Sequence, residues 1–150
     1  MKPLAAALAF CLMLAVTPLS LAPAHAQAKV HKVAIHVDDR DTKRMNMALN
    51  NAQNVRKYYA AKGEKVMIEI VAYGPGLHML RADTSPVKSR IAAMSLADPD
   101  LRFSACGNTH RKMSKKAGKP VTLVAEAKKV PSGVVRLMEL QEQGWSYIRP

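Results

Sequence analysis

The residues best placed to do chemistry stand together in Cys106-Gly107-Asn108-Thr109-His110, where an apolar run from Leu101 ends at a thiol. If a strand hands over to a helix there, the first free N–H groups of Asn108, Thr109 and His110 point towards the sulfur and stabilise a thiolate. With His110, Arg111 and Lys112 nearby, the expected thiol pKa lies below the free value of about 8.5, which makes a nucleophile at neutral pH. The competing reading is an inert cysteine tucked under the first turn as a small apolar filler. Both readings stay open at this level.

A second group, Gly74-Pro75-Gly76, lies in a loop after an apolar run. It lacks the length and lysine of GxxxxGK[ST], and nothing in the chain resembles GxGxxG. Beside the Cys106 turn, Gly74 and Gly76 are expected to shape the wall of a small anion or sulfur pocket, because glycine lets a ligand approach the backbone closely. His31, His36, His78 and His110 show no HxxxH or CxxC spacing, so neither a metal nor a cofactor is expected. A Cys/His hydrolase would need a held base and an orienting acid. His110 with Asp38 or Asp39 is the available set, and no orienting acid stands out.

The remaining chemistry depends on the compartment. Met1-Lys2, an apolar run from Leu4 to Val16 and Ala24-His25-Ala26 have the order of a cleaved secretory signal. Pro18, Ser20 and Pro23 interrupt the run before it reaches the roughly 20 apolar residues of a spanning helix. Residues 1–26 are therefore read as a signal peptide, residues 27–150 as one exported, periplasmic domain with no transmembrane segment. Cys11 goes with the leader, leaving Cys106 as a single thiol that cannot form an internal disulfide. Without a resolving cysteine, what remains is a persulfide formed by accepting sulfur, or a mixed disulfide with a partner.

The chain carries a formal charge of +12, which becomes +11 once Lys2 leaves with the leader. This favours acidic partners, anionic surfaces or small anions. Nucleic acid is not expected, because the basic residues are scattered without the interleaved aromatics of a base-stacking surface.

The elements that must position Cys106 alternate between β-branched runs and helical periodicity, the pattern of βαβ units on a parallel sheet. Strands are expected at 33–37, 66–72, 101–105, 121–125 and 145–148. Met45, Leu49, Ala52, Val55 and Tyr59 fall at helical spacing until Gly63. A second helix is expected to start at Ser85-Pro86 and bury Val87, Ile91 and Met94. A third runs from Asn108 to about Lys116, and a fourth opens at Pro131-Ser132-Gly133 with Val134, Leu137, Met138 and Leu140 inward. Met45, Met67, Met94 and Met138 are read as core. Parallel crossovers gather Asp38-Asp39, Tyr73–Gly76, Cys106–Thr109 and Pro131–Gly133 on one rim of the sheet, where open α/β sheets bind ligands. The apolar stretch Trp145–Ile148 would be an edge needing cover, by docking on its own sheet or against another subunit.

Taken together, AYGPGLHMLRADTSPV, FSACGNT, VPSGVVRLMELQEQGWSYIRP and IHVDD followed by ALNNAQN resemble the exported branch of the DsrE/DsrF-like family, relatives of the sulfur-relay proteins, over about residues 32–150. The resemblance implies a three-layer α/β/α domain with a five-stranded, mainly parallel sheet, and a homo-oligomer, trimer or hexamer. It also implies that Cys106 matches a cysteine that accepts sulfane sulfur and passes it to a partner protein. A non-catalytic oligomeric binding module with a structural cysteine is the alternative function.

Overall fold

Strand β1, Val30–Val37, opens the domain, and its last five residues are buried, the mark of a strand covered on both faces. The computed structural model describes residues 29–150, so the signal-peptide expectation lies outside the described residues. Helix α1, Thr42–Ala60, starts at Asp41, whose side chain accepts from the Lys43 N–H at 2.9 Å, and buries Met45, Ala48, Leu49 and Ala52. Strand β2, Lys65–Ala72, leads into a 3₁₀ segment, Gly74–Leu80, and helix α2, Lys88–Ala97. Then come β3, Leu101–Cys106; α3, Gly107–Ala117; β4, Ala127–Val130; α4, Gly133–Glu142; and β5, Ser146–Ile148.

The five strands are all parallel, in the order β4-β3-β2-β1-β5. One face carries the larger core: Val33, Ile35, Ile68, Ile70 and Phe103 pack against α1, the 3₁₀ segment and α2. On the other face Ala34 and Val71 pack against Leu137 and Leu140 of α4 and against Trp145. The domain is thus three layers. Residues 146–148 dock on their own sheet as its edge strand, β5 pairing with β1, with Trp145 buried and Tyr147 exposed.

Three expectations are corrected. Residues 121–125 are not the fourth strand: Leu123 forms an isolated antiparallel bridge with Arg81, and the Val124 N–H donates to the Leu80 carbonyl at 2.9 Å. These residues tie the connection after α3 to the end of the 3₁₀ segment, and the strand forms later, where Lys128 and Lys129 suit an exposed sheet edge. Val134 and Met138 face outward at 52% and 54% exposure, because the inward stripe of α4 is Gly133, Leu137 and Leu140, the i, i+4, i+7 set that starts from the glycine. Finally, α2 begins after Ser85-Pro86: the Ser85 Oγ accepts from the Val87 N–H at 3.3 Å in the turn before the helix, while Val87, Ile91 and Met94 are buried.

Candidate functional site: a thiol at the switch point of the sheet

The order of the strands fixes where a site can form. The chain moves β1 to β2 to β3 to β4 with its helices on one face, then returns to β5 through α4 on the other. The loops that leave β3 and β4 therefore diverge to opposite faces, and the crevice between two such loops is where open α/β sheets bind ligands. Cys106 ends β3 and pairs with Val130, which ends β4. The only cysteine among the described residues stands at that crevice.

Cys106 is the N-cap of α3. Its sulfur accepts from the Thr109 N–H at 3.5 Å, the bond a side-chain oxygen makes at an ordinary cap. Thr109 is itself held by the neighbouring loop, for the Gly74 N–H donates to its Oγ1 at 3.0 Å. That leaves the hydroxyl hydrogen free for the sulfur. Gly133, at the start of α4, closes the other side: a Cβ there would lie 2.9 Å from the Tyr73 Cβ and 3.1 Å from the Cys106 Cβ. Only a glycine lets α4 bring its first N–H so near.

Cys106 is 4% exposed. Burial pushes its thiol up. The Thr109 hydroxyl and the backbone N–H groups of Thr109, Gly133 and Asn108 pull the other way and prevail, so the thiol ionises below its ordinary value. The start of α4 thus joins the start of α3 at one sulfur, on the rim where the sequence placed both, and adds the Gly133 N–H to the donors expected from Asn108 and Thr109.

The other expected site residues are placed as follows. The Asn108 side chain accepts from Arg111 at 2.6 Å and is exposed, so it is the Asn108 backbone that serves the thiol. The His110 Nε2 donates to the Val121 carbonyl at 2.7 Å, which commits that nitrogen to the connection after α3. Gly76 is set against β1: a Cβ there would come 2.2 Å from the Val37 carbonyl oxygen, so this glycine lets the 3₁₀ segment pack onto the strand end. Asp38 receives two bonds from Arg149, at 3.1 and 2.8 Å, and Asp39 accepts from the Asp41 N–H at 3.0 Å.

Two clusters escaped the sequence reading. Along the rim, His36 is buried and stacks on Tyr73 with ring centres 4.5 Å apart, while its Nδ1 bonds the Tyr147 hydroxyl at 2.7 Å. Its Nε2 has no partner among the described residues and lies 3.9 Å from Asp38. Burial lowers the His36 pKa, Asp38 raises it and Arg149 lowers it, with a net fall. Tyr73 therefore separates the thiol from a histidine held neutral. Below the rim, Glu69 is 1% exposed and takes two bonds from Arg136 of α4, each 2.7 Å, and one from the Ser104 hydroxyl at 2.7 Å. Burial alone would raise the Glu69 carboxyl, but Arg136 and Ser104 bring it below its ordinary value. A lone acid inside VMIEIVA was the available signal.

A parallel α/β domain with a capping thiol at its switch point is the class of protein these features define. No protein-family model and no curated protein matches the sequence. Among solved structures the chain is similar to MTH1491 from Methanobacterium thermoautotrophicum, a protein of unknown function, at 32% identity and a TM-score of 0.65. The match covers 80% of this chain and 99% of that one, and the chain belongs to the family of that protein.

Proposed function

We propose that the chain is an exported, periplasmic DsrE/DsrF-like protein that handles sulfur: Cys106 accepts sulfane sulfur as a persulfide and passes it to a partner protein. The observation that carries this reading is the convergence of the Asn108, Thr109 and Gly133 N–H groups and the Thr109 hydroxyl on one thiol. In the step itself the Cys106 thiolate attacks the outer sulfur of R–S–SH. The new bond is Cys106 S–S, the bond broken is R–S to that sulfur, and R–S⁻ leaves, so sulfur moves without net oxidation or reduction. Transfer to the partner repeats the step with the partner's thiolate as attacker.

Intact-mass spectrometry after incubation with inorganic polysulfide tests it, in a Cys11→Ser background so that Cys106 is the sole thiol. The expected result is added mass in whole sulfur atoms, removed by a reductant and absent from Cys106→Ala. The near-complete burial of Cys106 favours the second reading, a binding module with a structural cysteine. An unmodified chain after exposure to polysulfide would overturn the persulfide reading.

A further inference from the structure

Between Asp100 and Glu126 the chain carries six Lys and Arg and no acidic residue, and five of the six follow Cys106. Arg111, Lys112, Lys115 and Lys116 stand on α3 at the i and i+4 spacing of one helix face, and Lys119 follows the glycine that ends the helix. All five are exposed, while Met113 turns the other way and packs on the larger core. On β4, Lys129 pairs with Ala105 of that core and so shares its side of the sheet.

The arginines of α1 and α2 are engaged within the protein: Arg44 with Asp39, Arg56 with Asp98, and Arg90 with Asn46 and Asn50. On α3, Arg111 reaches Asn108 of its own helix, and no acid lies within 4.0 Å of any of the five cations among the described residues. Of the acids on the neighbouring connections, Asp83 is held by Arg81, Asp98 and Asp100 face Arg56, and Glu126 lines the groove on the far face of the sheet. The pattern also works against the helix itself. There is no acid in the first turn of α3, where the dipole favours one, and Arg111 with Lys115 and Lys112 with Lys116 set like charges one turn apart. Lys115 and Lys116 suit the C-terminal end, but Arg111 and Lys112 have no such use. A charge pattern that breaks the local rules without a gain inside the fold points to something outside it.

We propose that the outward face of α3 docks an acidic segment of a partner protein and leads it towards the Cys106 end of the helix. Cys106 caps the helix; Arg111 stands about 7.5 Å along its axis and Lys116 about as far again, at 1.5 Å per residue. A lipid surface fits less well, because helices that lie on membranes bury Trp, Phe or Leu, and none of the large exposed apolar side chains belongs to α3. This deepens the persulfide reading by naming the surface chemistry of the protein that gives or takes the sulfur, and rests on it for that task alone.

A Glu-Ser repeat peptide of about ten residues, roughly 33 Å when extended, serves as the probe. Titrated into the full chain carrying Cys106→Ser and followed by NMR, it should bind saturably, with the shifts concentrated on residues 108–119. Lys112→Gln/Lys115→Gln/Lys116→Gln should weaken binding about tenfold, 1.4 kcal/mol. Lys43→Gln/Lys57→Gln/Lys65→Gln removes the same charge from α1 and β2 and should change it less than about twofold in about 0.1 M salt, where screening acts beyond about 10 Å. A Gln-Ser repeat should not bind. Equal losses in the two triple variants overturn the proposal, since the attraction would then belong to the net charge and not to α3. So does the absence of saturable binding, or phosphatidylglycerol vesicles that bind through α3 where the peptide does not, which would make the face a membrane contact. The thiol is absent from the titrated chain, so these failures are distinct from a failure of Cys106 to take sulfur from inorganic polysulfide.

Discussion

Replacing Arg136 by methionine tests whether the buried ion pair holds α4, and with it the Gly133 amide, on the sheet. Methionine keeps most of the side chain's length, so what is lost is the guanidinium that gives Glu69 two bonds of 2.7 Å. Glu69, 1% exposed, is left with the Ser104 hydroxyl alone. Removing one partner of a buried pair costs about 3–5 kcal/mol. The surviving Ser104 bond and the part-exposed setting of Arg136, at 23%, put this case near the lower limit, about 3 kcal/mol. At about 2.1 cal/mol/K per residue, a domain of roughly 120 residues loses about 12 °C in Tm for that amount. The deficit should depend on pH. In the parent chain the Glu69 pKa is depressed, so its contribution is present above the unfolded value of about 4.3 and is lost as pH falls below it. In the variant burial acts unopposed by Arg136 and raises that pKa, so protonation relieves the folded state as pH falls. The gap between the two chains should therefore close from pH 7 towards pH 4. Urea titrations at both pH values measure it, with Glu69→Leu/Arg136→Leu expected within about 1–2 kcal/mol of the parent because no charge is then stranded. A loss under about 1 kcal/mol at pH 7, or a loss of the same size at pH 4, would refute the reasoning.

Thr109→Val removes the hydroxyl beside the thiol and leaves the backbone donor, so the pH midpoint of Cys106 alkylation, read with Cys11→Ser, should rise towards that of free cysteine; an unmoved midpoint would show that the amides act alone. His36 has a depressed pKa, so the unfolded chain binds more protons once pH falls below about 6.5, and folding stability should drop from pH 7 to pH 5. His36→Phe should make that slope shallower, leaving the share of His78, whose pKa burial also lowers, and should give up the Tyr147 hydrogen bond, a loss of about 1 kcal/mol at pH 7; a slope as steep as the parent's would assign it to another group.

The fold was legible because its signals are local and repeated. β-branched runs such as Val66–Ala72 and the helical spacing from Met45 to Tyr59 each point to one element, and the alternation of strand and helix implies parallel order. What failed was the segment after α3, where Val121, Leu123 and Val124 look like a strand by composition. Two of them are buried, by packing against the 3₁₀ segment's end rather than by joining the sheet. In α4, the buried glycine shifts the inward stripe, and hydropathy alone gives it no weight. At the site, the sequence reading put Cys106 at a strand-to-helix turn with Thr109 beside it. The parallel crossovers also put Tyr73 and Gly133 on its rim, but not their contact with Cys106, which depends on how loops 27 to 60 residues apart meet over the sheet.

The convergence of two helix starts on one sulfur also bears on the direction in which sulfur would move. Asn108 and Thr109 open α3, Gly133 opens α4, and their N–H groups act at Sγ, where a thiolate carries its charge. A persulfide anion carries most of its charge on the outer sulfur, about 2.05 Å beyond Sγ and outside the reach for which these bonds are set. Charge-assisted hydrogen bonds fall off steeply with distance and angle, so the same cage favours the thiolate over the persulfide. A cysteine built in this way is a good leaving group when a partner's thiol attacks the outer sulfur, because the charge returns to the atom that the amides surround. On the persulfide reading the site therefore suits handing sulfur on better than storing it, and weakening the cage at Thr109 should make the persulfide accumulate as it slows the transfer.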